Sequence, residues 1–355
     1  MNHFVYDQSQ YQILHQIGSG TYSDVYVARY ILNNKLVCIK MVNLDLLPDG
    51  IEMFRKEVSL WSTLENSNML PYYGSFVVDS SLWILTEYMD GGSLQDIIQY
   101  NNKNGIKDEV LLASILEQIL LFLKYFHSKK LIHRDIRTDN IFITSEGVIK
   151  VGNLSLATCL IQEGQRKRAR FTKLKSTCYS APEVLNNSDE GHTESVDIWG
   201  IGVTAIELSV GEPPYYGLPI MQQVKAIVEG KPMVLPDNLP SSVIDFISLC
   251  TQHDPKKRPN VETLIHHRLI KMSKGVDYIA NTLMSQLLPL DRRFRILNNN
   301  SEKSSCLSSR SCNNKISYDF PDEKKKKSDD SESQILKKSE QIKYGRFTVL
   351  KTKKQ

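Results

Sequence analysis

No run of this 355-residue chain is long and uninterrupted enough in apolar side chains to be read as a bilayer span. The best candidate, 111–127, is broken by Glu117, Gln118 and Lys124, which suits an amphipathic or buried helix. The opening residues, Met1-Asn2-His3-Phe4, show no basic stretch followed by an apolar one, so no secretory leader is expected. The six cysteines (Cys38, Cys159, Cys178, Cys250, Cys306 and Cys312) lack any paired metal-ligand spacing. That excludes a zinc ribbon and points to reduced thiols in a cytoplasmic protein, with the nucleus left open. Internal repeats are also missing.

An excess of one charge is missing from most of the chain. The whole sequence carries 44 Lys+Arg and 40 Asp+Glu, a net +4, but residues 301–355 hold 14 and 8 of these. The first 300 residues therefore hold 30 and 32, a net −2. The basic excess belongs to the tail, so the body gives no ground for a nucleic-acid partner. At 41% hydrophobic and 24% charged residues, that body has the composition of an ordinary globular core.

What is present divides in two. Short runs rich in Val, Ile, Tyr and Leu predict strands at 11–17, 23–30, 35–42, 72–78 and 82–88, with a helix at 51–64. Helical patterns then dominate at 94–100, 108–128, 195–210, 220–229 and 241–251, interrupted by a β patch at 141–150. A β-rich lobe ahead of a helical lobe leaves a cleft between them, the usual place for a ligand. A helical extension is expected at 270–298. Residues 299–355 read as a disordered basic tail, because Ser, Asn, Lys and Asp cannot bury enough apolar area to offset their ordering entropy.

The chemistry begins at Gly18-Ser19-Gly20-Thr21-Tyr22-Ser23-Asp24-Val25, between two predicted strands. Glycines there let backbone N–H groups approach phosphates. Alone, such a turn is equally consistent with a plain hairpin. Further on, Val37-Cys38-Ile39-Lys40 presents one ammonium on an apolar strand, and Glu57 offers a carboxylate on the predicted helix. Together beneath a glycine turn, the pair can hold phosphates. The segment Ile132-His133-Arg134-Asp135-Ile136-Arg137-Thr138-Asp139-Asn140 is far more specific: Asp135 can accept a hydroxyl proton and Asn140 can offer an oxygen to a cation.

These motifs resemble those of eukaryotic protein kinases, over residues 11–269. The resemblance implies an α+β, bilobal fold with a β-rich N-lobe and a helical C-lobe. It also implies an ATP site formed by Gly18, Ser19, Gly20, Val25, Lys40, Glu57, Glu87, Met89 and Phe142, with Asp135, Lys40 and Asn140 catalytic. Glu87-Tyr88-Met89 resembles the hinge that binds adenine, with Thr86 behind it. Ala181-Pro182-Glu183 resembles the end of an activation segment, whose Glu183 would pair with Arg258. Asp197-Ile198-Trp199-Gly200-Ile201-Gly202 and Gly91-Gly92-Ser93-Leu94 are similar to the sterile-twenty (STE) family.

One position departs from the pattern. Where kinases carry Asp-Phe-Gly, this chain reads Asn153-Leu154-Ser155. Asn140 and Asn153 would then be the metal ligands, and a neutral amide binds Mg²⁺, a hard ion, less well than a carboxylate. Binding of Mg²⁺ is therefore doubtful, while ATP is expected. The stretch 161–171, with Gly164-Gln165-Arg166-Lys167-Arg168-Ala169-Arg170, resembles the STRAD pseudokinase adaptors. That resemblance implies a pseudokinase that binds ATP and allosterically activates a liver-kinase-B-type Ser/Thr kinase, with a helical-repeat scaffold. Lys40, Glu57, Asp135 and Asn140 instead suit a competent Ser/Thr kinase with a weakened metal site. A scaffold without nucleotide is the third reading.

Two further features stay open. Thr172 and Ser176 are candidate phosphorylation positions. In the tail, Arg346-Phe347-Thr348-Val349 resembles the Arg-Phe-x-Val peptide bound by the C-terminal domains of oxidative-stress-responsive kinases, which makes Arg346, Phe347 and Val349 a docking candidate. A short strand packed on the body fits the same residues.

Overall fold

Alternation of buried and exposed side chains builds the first lobe. The computed structural model describes residues 4–47, 52–162, 165–166, 177–186, 192–298, 342–344 and 347–349. Strands β1 (Tyr11–Ser19), β2 (Ser23–Tyr30), β3 (Lys35–Asn43), β4 (Tyr72–Val78) and β5 (Ser81–Glu87) form one antiparallel sheet in the order β1-β2-β3-β5-β4. Val27, Val37, Ile39, Leu82 and Leu85 are almost wholly buried, whereas Ile13 on β1 and Leu36 on β3 face outward. Helix α1 (Glu52–Trp61) buries Phe54, Val58 and Trp61, spaced four and three residues apart, as one face. It ends three residues earlier than the sequence pattern suggests, where Trp61 turns its indole N–H onto the Leu70 carbonyl at 2.7 Å.

The chain then enters β6 (Gly92–Ser93) and α2 (Leu94–Asn101) through a reciprocal cap. Ser93 Oγ accepts the Asp96 N–H at 3.1 Å, and Asp96 Oδ2 accepts the Ser93 N–H at 3.2 Å. Helix α3 (Glu109–Ser128) starts on Asp108, whose carboxylate accepts the N–H groups of Val110 and Leu111. By length and composition α3 would suffice to cross a bilayer. Here it is the central core helix instead, with Leu112, Ile115, Leu116, Ile119, Leu120, Phe122, Leu123 and Phe126 all buried. Gln118, also buried, is bonded at both ends of its amide: its Oε1 accepts from Ile149 N–H and Asn68, and its Nε2 donates to the Gly147 carbonyl.

The expected β patch at 141–150 resolves into two paired strands, β7 (Ile141–Ile143) and β8 (Ile149–Val151), with β6 beside β7. Leu70 N–H donates to the Val151 carbonyl and Val151 N–H to that of Asn68, so the chain leading to β4 is stitched onto the helical lobe. The rest of that lobe comprises α4 (Pro182–Leu185), α5 (Ser195–Val210), α6 (Ile220–Val228), α7 (Ser241–Cys250) and α8 (Val261–Ile265). Helix α5 is buried along nearly its whole length and packs on α3 and α7.

Beyond residue 270 come α9 (Gly275–Thr282) and α10 (290–298). Two short strands, Ile342–Tyr344 and Phe347–Val349, pair with each other, and the second lies beside β4. Residues 167–176, with Thr172 and Ser176, and residues 299–341 and Arg346 lie outside the described residues. The four cysteines among the described residues, Cys38, Cys159, Cys178 and Cys250, are free thiols.

Candidate functional site

A cleft of about 560 Å³ opens between the lobes. Its roof is the β1–β2 hairpin, closed by Gly20 N–H on the Ser23 carbonyl at 2.7 Å. Opposite strand residues pair Gly18 with Val25 and Ser19 with Asp24. A Cβ on Gly18 would come within 3.2 Å of Val25 Cβ, so glycine keeps this strand end close to its neighbour. Gln16 braces the hairpin by donating from Nε2 to the Gly18 carbonyl and to Asp24. Val25 lies opposite Lys40 on β3, which sets the ammonium under the roof.

Gly18, Ser19, Gly20, Val25, Lys40, Glu57, Glu87, Met89, Phe142, Asn140 and Asn153 all line this one cleft. The segment joining the lobes forms its back. There Glu87 ion-pairs with Lys150, and Met89 is 5% exposed. One sequence expectation is corrected: Lys40 and Glu57 both reach the cleft, but no ion pair within 4.0 Å joins them. Lys40 Nζ instead lies 5.9 Å from the centre of the Phe54 ring, on the same helix as Glu57. Helix α1 carries the carboxylate to the wall of the cleft without closing the pair.

The floor is a loop held from behind. Asp197 at the start of α5 is 1% exposed and accepts the N–H groups of His133 (2.9 Å) and Arg134 (2.7 Å) and the ring N–H of His127 (2.8 Å). Burial alone would raise its carboxyl, but the hydrogen bonds from His127 and from the His133 backbone hold it below its ordinary value. That grip keeps Arg134 at φ 65°, a left-handed conformation that turns the next residue toward the cleft. His133 Nδ1 accepts the Asp135 N–H, so its Nε2 donates to the Gly152 carbonyl at 3.1 Å. Asp135 itself is 6% exposed and reaches the cleft through its contact with Asn153. Asp139 ion-pairs with Arg137.

Whether Asn140 and Asn153 suit a divalent cation follows from their hydrogen bonds. Asn140 Nδ2 donates to the Asp135 carbonyl at 2.9 Å, which turns Asn140 Oδ1 toward residue 153. Asn153, at φ 61° and ψ 74°, meets that oxygen with its Nδ2 at 2.8 Å and approaches Asp135 Oδ2 at 3.4 Å. Its Oδ1 points away and accepts the Ser155 hydroxyl at 2.9 Å. The two positions are therefore neutral, and Asn153 offers an N–H donor where a cation needs an oxygen. As arranged, they do not fit Mg²⁺. No cluster of three or more His, Cys, Asp or Glu side chains among the described residues supplies another site. Leu154, 1% exposed, sits in the core, and its turn packs against α1.

Sequence reasoning missed two contributors. The supporting role of Asp197 was visible as a motif but not as a clamp on Arg134. Leu290, Phe294 and Leu297 of α10 also line the cleft. Their spacing of four and three residues was a readable helical stripe. Elsewhere, Arg258 holds Glu183 through Nη1 and Nη2 at 2.7 and 2.8 Å, tying α4 to the helical lobe.

Comparison with known proteins agrees with this geometry. A model of the protein kinase domain matches residues 11–270. Serine/threonine-protein kinase fray1 of Dictyostelium discoideum is 34% identical over 293 residues, covering 81% of this chain and 50% of that protein. Germinal center kinase 3 of Caenorhabditis elegans is 30% identical over 301 residues, covering 79% and 50%. Serine/threonine-protein kinase ppk11 of Schizosaccharomyces pombe is 32% identical over 283 residues, covering 79% and 86%. The chain thus spans about half the length of the first two. Two of these relatives are named as serine/threonine-protein kinases and one as a germinal center kinase, and none of the three as a pseudokinase adaptor. A bilobal fold, a glycine-roofed cleft and a match over most of the chain agree: this chain belongs to the protein kinase domain family.

Proposed function

We propose that the chain is an ATP-binding Ser/Thr protein kinase that transfers the terminal phosphoryl group to a protein hydroxyl, slowly. One observation carries this reading: the Asp135 carboxylate meets Asn153 and its carbonyl accepts from Asn140, two residues that line the cleft together with Lys40 and the glycine hairpin. In the reaction, the substrate oxygen bonds to the γ-phosphorus as the bond to the β–γ bridging oxygen breaks. ADP leaves, and the hydroxyl proton passes to Asp135. Lys40, beneath the glycine hairpin, holds the phosphates. No step is assigned to a metal ion, since the Asn140–Asn153 pair does not suit one. The missing electrostatic stabilisation is the reason for a low rate. The names of the relatives support the Ser/Thr class.

A second reading rests on a specific observation, the Asn153 N–H donated to Asn140. In it the chain is a STRAD-like adaptor. ATP favours the closed lobes, and these present a surface to a partner Ser/Thr kinase of the liver-kinase-B type and a helical-repeat scaffold. Thermal shift with ATP in Mg²⁺ and in EDTA, run beside a transfer assay, separates the two. Transfer that depends on Asp135 supports the kinase; metal-independent binding with no transfer supports the adaptor.

A further inference from the structure

The family match ends at residue 270, yet the cleft does not. Leu290, Phe294 and Leu297 lie on one face of α10 and line the same space as Gly18, Lys40 and Met89. Their neighbours across that space are Gln95, Asp96 and Gln99 of α2. Lys40 and the glycine hairpin are the groups that suit phosphate charge. The apolar stripe of α10 suits a base or a sugar edge.

Two observations show that α10 is built in rather than resting there. Arg293 is 1% exposed, and its Nη2 donates to the Gly91 carbonyl at 2.7 Å while its Nε donates to that of Leu288 at 2.9 Å. Asp96 and Asp90 face its guanidinium and offset part of the cost of burying it. The second observation is the Gly91-Gly92 pair. A Cβ on Gly92, already at φ 75°, would lie 2.7 Å from Leu290 Cδ1, and one on Gly91 would lie 2.7 Å from Met284 Cε. The Leu290 and Met284 side chains of the C-terminal segment thus occupy the space that these two glycines leave open between the lobes.

We infer that α10 is part of the nucleotide site: Phe294 and Leu297 form an outer wall against the base-and-sugar end of an adenine nucleotide, and Arg293 anchors that wall to Gly91. The inference rests on the ATP-binding reading and extends the site past residue 270, where the match to the kinase domain model ends. Phe294 and Leu297 are only partly buried without ligand, so truncating them removes wall and little core.

The test uses the full chain, titrated calorimetrically with ADP and with adenosine, as wild type, Phe294→Ala, Leu297→Ala and, on the outer face of α10, Arg292→Ala. Each wall variant is expected to weaken both ligands about tenfold, as losing part of a buried apolar side chain would. Arg292→Ala should leave both unchanged. An equal loss for adenosine marks a contact to base and sugar rather than phosphate. As a second readout that tolerates no truncation, the emission of Phe294→Trp should shift on adding ADP. Wild-type binding with unaffected or tighter-binding variants overturns the wall alone, a tighter variant identifying α10 as a plug. A wild-type chain that binds no adenine nucleotide overturns the ATP site and the wall together.

Discussion

Replacing Asn153 by Asp tests the floor of the cleft most sharply. The amide now donates to Asn140 Oδ1 at 2.8 Å and lies 3.4 Å from Asp135 Oδ2. A carboxylate cannot donate, so the variant loses a hydrogen bond of about 1 kcal/mol and sets oxygen against oxygen. Two full charges at that 3.4 Å contact repel by about 5 kcal/mol at an effective dielectric constant near 20. Taking up a proton or a cation relieves that repulsion. Asn153→Asp should therefore melt several degrees below wild type in EDTA at pH 8, and recover when Mg²⁺ is added or the pH is lowered toward 5. Wild type should be nearly indifferent to Mg²⁺. Differential scanning fluorimetry across pH, with and without metal, reads this directly. Identical melting of the two proteins in EDTA at pH 8, or an equal Mg²⁺ response, would refute the reasoning.

Three further outcomes follow from the same geometry. Asp197→Asn replaces an acceptor of three buried donors and should cost about 3 kcal/mol by urea titration. Because that carboxyl is held below its ordinary 3.8, its contribution is present above that value and fades only as pH falls through the lower folded one. The difference between variant and wild type should therefore shrink only in strong acid. Glu207 is the opposite case: burial raises it above 4.5 despite hydrogen bonds from Thr138 and Tyr179. Its favourable share is complete below 4.5 and lost as pH rises through the folded value, so Glu207→Gln should stabilise the protein at pH 7.5 and gain little at pH 4.5. Equal gains at both pH values would contradict this. Arg258→Met leaves Glu183 without its bidentate partner and should cost about 3–5 kcal/mol, most of it recovered in the double variant with Glu183→Met.

Much of this architecture was readable because its determinants are local. Strand alternation, the helical stripe of Phe54, Val58 and Trp61, and the 132–140 segment each declare themselves within a dozen residues. The ends of elements were less legible. Where α1 stops depends on the Trp61 contact with Leu70, made by tertiary packing. The 141–150 patch is read from its apolar ends, Ile141–Ile143 and the pair Val148 and Ile149, while the Thr144-Ser145-Glu146-Gly147 turn between them, with Gly147 at φ 80°, divides it into two strands. In the site, the residue types at 40, 57, 135, 140 and 153 were recognisable. The gap between Lys40 and Glu57 was not, since it depends on how α1 sits. The orientation of the Asn153 amide was hidden for a similar reason: it is set by Asn140, which is set in turn by the Asp135 carbonyl. The buried Arg293 had no signal at all, because its partner at Gly91 lies 202 residues away in sequence.

The central claim is that Asp135 still serves as a base in a nucleotide cleft whose metal position has lost its charge. Phosphoryl transfer from radiolabelled ATP to a Ser/Thr peptide pool, measured for the purified full chain and for Asp135→Ala, tests it most directly. The account predicts slow transfer by wild type and none by the variant, with both proteins binding ATP equally. Wild-type transfer no greater than that of Asp135→Ala, at equal nucleotide occupancy, would contradict it.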